Sequence, residues 1–222
     1  DLMAAVGSPH KDCRQDGAKI GEVSGKRADR RAYLFNTGIA GLEKADVILL
    51  VGTNPRAEAP MINARIRKTW LGNLNVKIGL IGEKKDLSYD YDYLGAGPET
   101  LSSLAKGEGA FYEALKNAKN PVVIVGMGAL AREDGAAILN AAAKLADSIG
   151  AIRGDWNGFN VLQTAAGRAG ALDLGFLPGE GGKDFAGILA ACEARGIDFV
   201  YNLGADEFDG RKLAGAFVVY QG

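Results

Sequence analysis

Side chains that bind metals are scarce in this chain of 222 residues, which has two cysteines and one histidine. Cys13 and Cys192 are far apart in the sequence, and His10 is the single histidine. Tetrahedral zinc sites and iron–sulfur clusters need several such ligands at defined spacings. We therefore predict no metal site in the chain. The two isolated cysteines favour a reduced, intracellular protein over a disulfide-linked one.

The two cysteines have different expected surroundings. Cys192 falls on one helical stripe with Phe185 and Ile188, which predicts a small buried thiol. Cys13 lies in the polar stretch His10–Gly17. It is either an exposed reactive thiol or an ordinary loop residue, and the second interpretation is the simpler one.

Long apolar runs and an excess of one charge are also missing. No apolar run reaches the length of a membrane-spanning helix, and nothing resembles a signal peptide. Lysine and arginine number 26 against 27 aspartates and glutamates, so the net charge is -1. We predict neither membrane insertion nor a nucleic-acid partner, which needs a basic face. Because there is no G-x-S-x-G elbow either, we predict no catalytic residues.

The most informative feature is an apolar strand, Val47–Val51, followed directly by Gly52, Thr53, Asn54 and Pro55. A strand without polar alternation is buried on both faces, as inside a parallel sheet. Glycine permits a sharp turn, and Asn54 with Pro55 can cap and begin the next helix. Such a turn directs N–H groups toward one point where phosphates bind well. These four turn residues are the candidates for cofactor binding.

The order of strand, glycine and turn occurs twice more, at Pro121–Gly128 and Asp198–Asp206. Helical stripes follow the first two copies; they consist of Ala59, Ile62, Ile66 and Trp70, and of Ile138, Ala142, Leu145 and Ile149. A third helix is expected over Asp184–Arg195, and a further strand over Val76–Ile81. Strands that alternate with helices form right-handed βαβ units. The predicted fold class is therefore α/β with parallel sheets.

Two units are expected, residues 1–95 and residues 96–222, because the polar and aromatic stretch Asp86–Pro98 interrupts the alternation. Gly154–Glu180 is rich in glycine, and we expect it to be irregular apart from a short helix around Val161–Ala169. The chain opens on Asp1 and stops just after the apolar strand Phe217–Tyr220. We expect a piece of a longer protein, truncated within its second unit.

Gly126-Met127-Gly128 after a strand is typical of a dinucleotide-binding loop, but the longer pattern is incomplete. Ala131 stands where G-x-G-x-x-G requires its third glycine. No second strand brings an acidic residue about twenty positions later to bind a ribose. Binding of a nicotinamide dinucleotide is therefore disfavoured.

The turn with its strand, Asp46–Pro55, resembles the pterin-binding turn of molybdopterin oxidoreductases such as formate dehydrogenases. Longer runs resemble one branch of that fold, the G subunits of proton-pumping NADH:quinone oxidoreductases (respiratory complex I), of the alphaproteobacterial and mitochondrial type. These runs are Tyr33–Asp46, Asn63–Lys68, Tyr89–Gly95, Asp134–Leu139, Asp155–Asn160, Ala171–Gly175 and Leu203–Asp206. Together they extend over nearly the whole chain.

The resemblance implies two Rossmann-like units of the molybdopterin oxidoreductase fold and a role in electron transfer from NADH through flavin and iron–sulfur clusters to quinone. In G subunits the cluster ligands lie in an N-terminal part, and none of those motifs occurs here. The implied partners are other subunits of the peripheral arm. The implied location is the cytoplasmic face of the bacterial inner membrane, or the matrix side in mitochondria.

The same resemblance implies that the cofactor site is vestigial. Cofactor-binding relatives usually carry a histidine shortly after the turn, whereas Glu58-Ala59-Pro60 has none. They also usually carry an Asp-Pro-Arg segment after the next strand, whereas Ile81 is followed by Gly82–Asp86. We expect a non-catalytic structural domain without a cofactor. The alternatives are an enzyme fragment that retains the pterin dinucleotide and a generic nucleotide-binding module like the central domains of thiamine enzymes.

Overall fold

The computed structural model describes residues 2–23 and 26–222 of the chain. The helices are Leu2–Val6 (α1), Pro55–Glu58 (α2), Pro60–Gly72 (α3), Pro98–Ala105 (α4), Ala110–Lys116 (α5), Met127–Leu130 (α6), Gly135–Ser148 (α7), Arg168–Asp173 (α8) and Phe185–Glu193 (α9). Short 3-10 helices lie at Arg30–Tyr33, Ala40–Lys44 and Gly210–Leu213. The strands are Glu22–Val23 (β1), Lys26–Arg27 (β2), Val47–Val51 (β3), Lys77–Ile81 (β4), Asp92–Gly95 (β5), Pro121–Gly126 (β6), Ile152–Arg153 (β7), Trp156–Asn157 (β8), Phe159–Leu162 (β9), Phe199–Leu203 (β10) and Phe217–Gln221 (β11).

A five-stranded parallel sheet with the strand order β5-β4-β3-β6-β9 forms the core of residues 19–166. β3 is the middle strand, and all of its residues are buried. A middle strand packs side chains on both faces and pairs along both edges, which is why an uninterrupted apolar run occupies it. The predicted α/β fold with a parallel sheet is confirmed.

Helices cover both faces of this sheet. On one face Ile62 and Ile66 of α3 pack into a cluster with Ile48 and Leu50 of β3, which confirms the predicted stripe. On the opposite face the ring of Phe111 lies against Gly79, where an added Cβ would come within 2.5 Å of the ring. The second predicted stripe is also confirmed, since Ile138, Ala142, Leu145 and Ile149 are all buried.

The chain divides into two compact units, residues 19–166 and residues 1–18 together with 167–222. This division differs from the predicted boundary near residue 95, which falls inside the five-stranded sheet. β5 pairs with β4, and β6 pairs with β3, so the sheet joins residues from both sides of position 95. The polar stretch Asp86–Pro98 contains an edge strand, and edge strands tolerate polar residues on their open side.

The glycine-rich stretch contains a second departure from prediction. Phe159–Leu162 is a fully buried strand at one edge of the sheet, not an irregular segment. The predicted helix around Val161–Ala169 is wrong; the helix in this region is Arg168–Asp173. The strand is short and carries Asn160 in its interior. Asn160 is fully buried, and its polar atoms are satisfied there: its side chain donates to Thr37 Oγ1 at 2.7 Å and accepts from Thr37 N at 2.9 Å.

The second unit contains the helix Phe185–Glu193 and the parallel strand pair β10 and β11. Asp184 caps the helix by accepting from Gly187 N at 2.9 Å, as the predicted helix start requires. Cys192 is fully buried beside Leu189 and Leu213, which confirms its assignment as a core thiol.

Across the described residues, no helix combines the length and the apolar character needed to cross a membrane.

Candidate functional site

The carboxyl ends of β3 and β6 mark the point where the order of strands in the sheet reverses. From β3 the chain adds β4 and β5 on one side, and then crosses to add β6 and β9 on the other. Open α/β sheets bind their ligands in the crevice at such a reversal. A cavity of about 310 Å³ lies there, and the predicted turn residues Gly52, Thr53 and Asn54 line it.

The conformation of Gly52 and one backbone hydrogen bond to β4 fix the turn after β3. Gly52 has a φ of 57°, a left-handed conformation that glycine adopts without strain. Gly52 N donates to Ile81 O at 2.8 Å, which ties the turn to the end of β4. Pro55 begins α2 as predicted, although the Asn54 side chain makes no capping hydrogen bond.

The turn after β6 packs directly on the turn after β3. An added Cβ at Gly126 would lie 2.5 Å from Thr53 Cβ, and one at Gly128 would lie 2.7 Å from Gly52 O. Both distances are far below a normal contact, so only glycine fits at either position. The Gly-x-Gly pattern is therefore explained by contact between the two turns, with no need for a bound pyrophosphate.

Glu58, which pattern reading did not identify as a site residue, completes the turn. Its Oε2 accepts from Thr53 Oγ1 at 2.8 Å, and its Oε1 accepts from Asn54 N at 2.7 Å. The Glu58 carboxylate therefore satisfies the backbone N–H of Asn54, the residue before α2. The usual sequence signal is missing, because a capping box places its glutamate three residues after the cap, where this chain has Ala57.

The cations that line the cavity are paired with carboxylates. Lys85 Nζ lies 2.5 Å from Glu83 Oε1, and Arg132 Nε lies 2.7 Å from Asp134 Oδ1. The hydrogen bond from Arg132 lowers the pKa of the Asp134 carboxyl. The lining therefore offers no surplus positive charge to an anionic ligand.

The cysteines and the histidine lie in the other unit. Burial and the negative charge of Asp12 raise the pKa of the Cys13 thiol to about 11, so it is protonated at neutral pH. Asp12 accepts from Phe185 N at 3.1 Å, and His10 Nδ1 accepts from Lys183 N at 3.1 Å. Within residues 2–23 and 26–222 no three His, Cys, Asp or Glu side chains converge as a metal-binding group.

The sheet order, the glycine turn at its reversal and the sequence together define a class of protein. The chain belongs to the molybdopterin oxidoreductase family, whose family model matches residues 1–222. Among its relatives it is similar to the potato (Solanum tuberosum) protein named NADH dehydrogenase [ubiquinone] iron-sulfur protein 1, mitochondrial, with 45% identity over 100% of this chain.

Two further relatives have related names. The G subunit of the NADH-quinone oxidoreductase of Rickettsia bellii is 44% identical, and the NADH-ubiquinone oxidoreductase 78 kDa subunit of Neurospora crassa is 42% identical, each over 87% of this chain. The resemblance to G subunits inferred from the motifs is confirmed. The chain spans 28%, 27% and 25% of the lengths of the three relatives, respectively.

The residues of the crevice do not fit the pterin dinucleotide that gives the family its name. A volume of about 310 Å³ is near the lower limit for drug-sized ligands, and a pterin dinucleotide is larger than those. The two turns at the crevice are in direct contact with each other. The Asn54 N–H and the Thr53 hydroxyl already donate hydrogen bonds to the Glu58 carboxylate.

Proposed function

We propose that this chain is a structural, non-catalytic part of a G-type subunit of a proton-translocating NADH:quinone oxidoreductase. The observation that carries the proposal is the crevice at the strand reversal, where the two turns lie in contact and the Glu58 carboxylate occupies two donors of the first turn. What remains is a compact unit built on a parallel sheet with helices on both faces. The names of the three relatives support the choice of assembly.

In such an assembly, electrons pass from NADH through flavin and iron–sulfur clusters to quinone. The cluster ligands belong to parts of the subunit outside these 222 residues, and this chain contributes surface and rigidity. Its partners are other subunits of the peripheral arm. The domain lies on the cytoplasmic face of the bacterial inner membrane, or on the matrix side in mitochondria.

The assembly is tested by purifying the protein from its native cells through an affinity tag, after mild detergent extraction of the membranes. We expect it to be recovered with NADH:quinone oxidoreductase activity and with flavin and iron in the same fractions. Recovery of the tagged protein apart from any NADH-oxidising complex would contradict the proposal. A tagged, unrelated soluble protein from the same cells controls for nonspecific recovery.

The absence of a cofactor is tested on the 222-residue chain produced in a host that makes the molybdenum cofactor. We expect colourless protein without redox activity, with molybdenum, tungsten and pterin fluorescence at background. A near-stoichiometric amount of any of these would favour the alternative of a cofactor-binding enzyme. Binding of a simple anion such as sulfate does not discriminate, because helix N-termini attract anions without an evolved purpose.

A further inference from the structure

The Glu58 carboxylate accepts hydrogen bonds from two donors of the turn after β3, Thr53 Oγ1 and Asn54 N. We propose that this carboxylate is a built-in anion that holds the Gly52–Asn54 turn closed and thereby excludes an anionic dinucleotide from the crevice. This inference deepens the proposed function and rests on the non-catalytic role of the domain. It assigns to Glu58 the task of a positioning residue that acts through Thr53 and Asn54.

The first step is the geometry of the short helix. Pro55 begins α2 and Glu58 ends it, so one helical turn brings the carboxylate back over the residue before the helix. Each of its two oxygens accepts one hydrogen bond, from Thr53 Oγ1 at 2.8 Å and from Asn54 N at 2.7 Å. A bidentate carboxylate at this place offers the acceptors and the charge that a phosphate would offer.

The second step is the locking of Thr53. Thr53 is only 7% exposed. Its Cβ is the atom nearest to the place that a Cβ would take at Gly126 of the neighbouring turn. Thr53 Oγ1 also lies beside that position of Gly126, so the hydroxyl that donates to Glu58 Oε2 is itself part of the contact between the two turns. The hydrogen bond therefore joins the Glu58 carboxylate to the contact between the two turns.

The third step is the electrostatic consequence. The cavity is lined by Glu58, Glu83, Lys85 and Arg132, and both cations are paired with carboxylates. An entering phosphate must displace the Glu58 carboxylate from both donors, and no unpaired cation of this lining compensates for the added negative charge. The like charge of Glu58 opposes entry as well.

Amide hydrogen exchange by NMR tests the closed turn. In Glu58→Ala we expect the Asn54 amide to exchange about tenfold faster or more, because a charge-assisted hydrogen bond is lost. Glu58→Gln retains one acceptor oxygen without the charge, so it should fall between Glu58→Ala and the unaltered protein. Glu108→Ala, which removes an exposed carboxylate in the same unit, is the matched control and should leave Asn54 unchanged. Amides of β3 report whether each variant is folded.

The exclusion is tested with inorganic pyrophosphate as the probe, followed through the same Asn54 amide. We expect a saturable shift in Glu58→Ala, and none in the unaltered protein or in Glu108→Ala at concentrations up to about tenfold above the Kd of Glu58→Ala. Equal responses in Glu58→Ala and the unaltered protein, or unchanged Asn54 exchange in folded Glu58→Ala, would overturn the role of Glu58. The proposed function is tested separately, by recovery of the protein with an NADH-oxidising complex, and neither of these outcomes changes that result.

Discussion

At the contact between the turns after β3 and β6, the lack of room for a side chain requires glycine. Gly52 contacts Ala129, and Gly126 contacts Thr53, at distances that leave no room for a Cβ. Read from the sequence alone, Gly52 began a candidate phosphate-binding turn, whereas the pattern around Gly126 was too incomplete to favour a dinucleotide. A bound phosphate and a second turn of the chain both need a backbone without a Cβ. The structure shows that the second turn is what lies there.

Gly128→Ala is expected to destabilise residues 19–166 by about 1–3 kcal/mol, because the new methyl group would lie 2.7 Å from Gly52 O and force the two turns apart. Gly72→Ala is the matched control. Gly72 is in the last turn of α3 and has open space around its Cβ position, so alanine there should be neutral or stabilise by up to about 1 kcal/mol. Urea titrations of both variants measure the difference, and equal midpoints would contradict the turn-to-turn contact.

Cys13 should react slowly with thiol reagents at neutral pH. Its pKa is raised from 9.0 to about 11, chiefly by burial and then by the charge of Asp12, so roughly one thiol in a thousand is ionised at pH 8. In a Cys192→Ala background, the labelling rate should rise about tenfold per pH unit until the pH approaches 11. Rapid labelling at pH 7 would show that the thiol is exposed.

The same shift has a consequence for stability. Because the folded pKa of Cys13 lies above its unfolded value, the folded state holds the proton more tightly. The stabilisation is complete below about pH 9 and is lost as the pH rises toward 11. Cys13→Ser in the same background removes this dependence, so comparing the two proteins from pH 8 to pH 11 isolates the contribution of the thiol.

Among the secondary-structure elements, α3 and β3 contribute side chains to the same buried cluster of the larger unit. Ile66 is fully buried in the cluster that includes Ile48 and Leu50 of the middle strand. The periodicity of the helix and the apolar run of the strand each predicted a buried face. The structure shows that these two faces meet.

Ile66→Asp is expected to unfold residues 19–166 or to destabilise them by several kcal/mol, because an unpaired carboxylate would be buried. That cost is comparable to the whole stability of a typical domain, about 5–15 kcal/mol. Met61→Asp places the same side chain on the same helix at a position that is 65% exposed, and it should melt within a few degrees of the parent. Thermal unfolding followed by circular dichroism measures both, and an unchanged Ile66→Asp would show that the helix face is misassigned.

At the scale of the whole molecule, the smaller unit has an open apolar sheet face. Phe199 and Phe217 pair directly across β10 and β11, and their rings stack at 6.1 Å between centroids. They are 55% and 69% exposed, and Leu203 on the same face is 65% exposed. Faces of parallel sheets are normally covered, and uncovered apolar patches promote association.

The 222-residue chain should therefore form dimers or weak aggregates at high concentration. Replacing Phe199 and Leu203 together by threonine preserves strand propensity while removing apolar area, so association should weaken. Leu74→Thr changes a residue of the other unit that is 93% exposed, and it should leave association unchanged. Light scattering over a broad concentration range measures all three proteins. A parent that stays strictly monomeric would contradict the prediction.

Local patterns determined much of this protein. The apolar run of β3, the stripes on α3 and α7, and the Asp184 cap each depend on residues a few positions apart, and the structure confirms them. Their alternation identified the α/β class, and the Gly52–Pro55 turn together with runs over nearly the whole chain identified the family. Such features are visible in sequence because helix and strand periods are set by neighbouring residues.

Tertiary structure decided what depends on residues distant in the chain. β3 is followed by β4 in sequence but also pairs with β6, and β9 is stabilised by the contact between Asn160 and Thr37. The boundary between units therefore differs from the one that composition suggested. The contact of Gly128 with Gly52 likewise arises only when the two turns meet at the end of the sheet. Local spacing cannot encode which distant backbones approach each other, so the sequence identified the turn and its family, while only the assembled sheet showed that the two turns lie in contact.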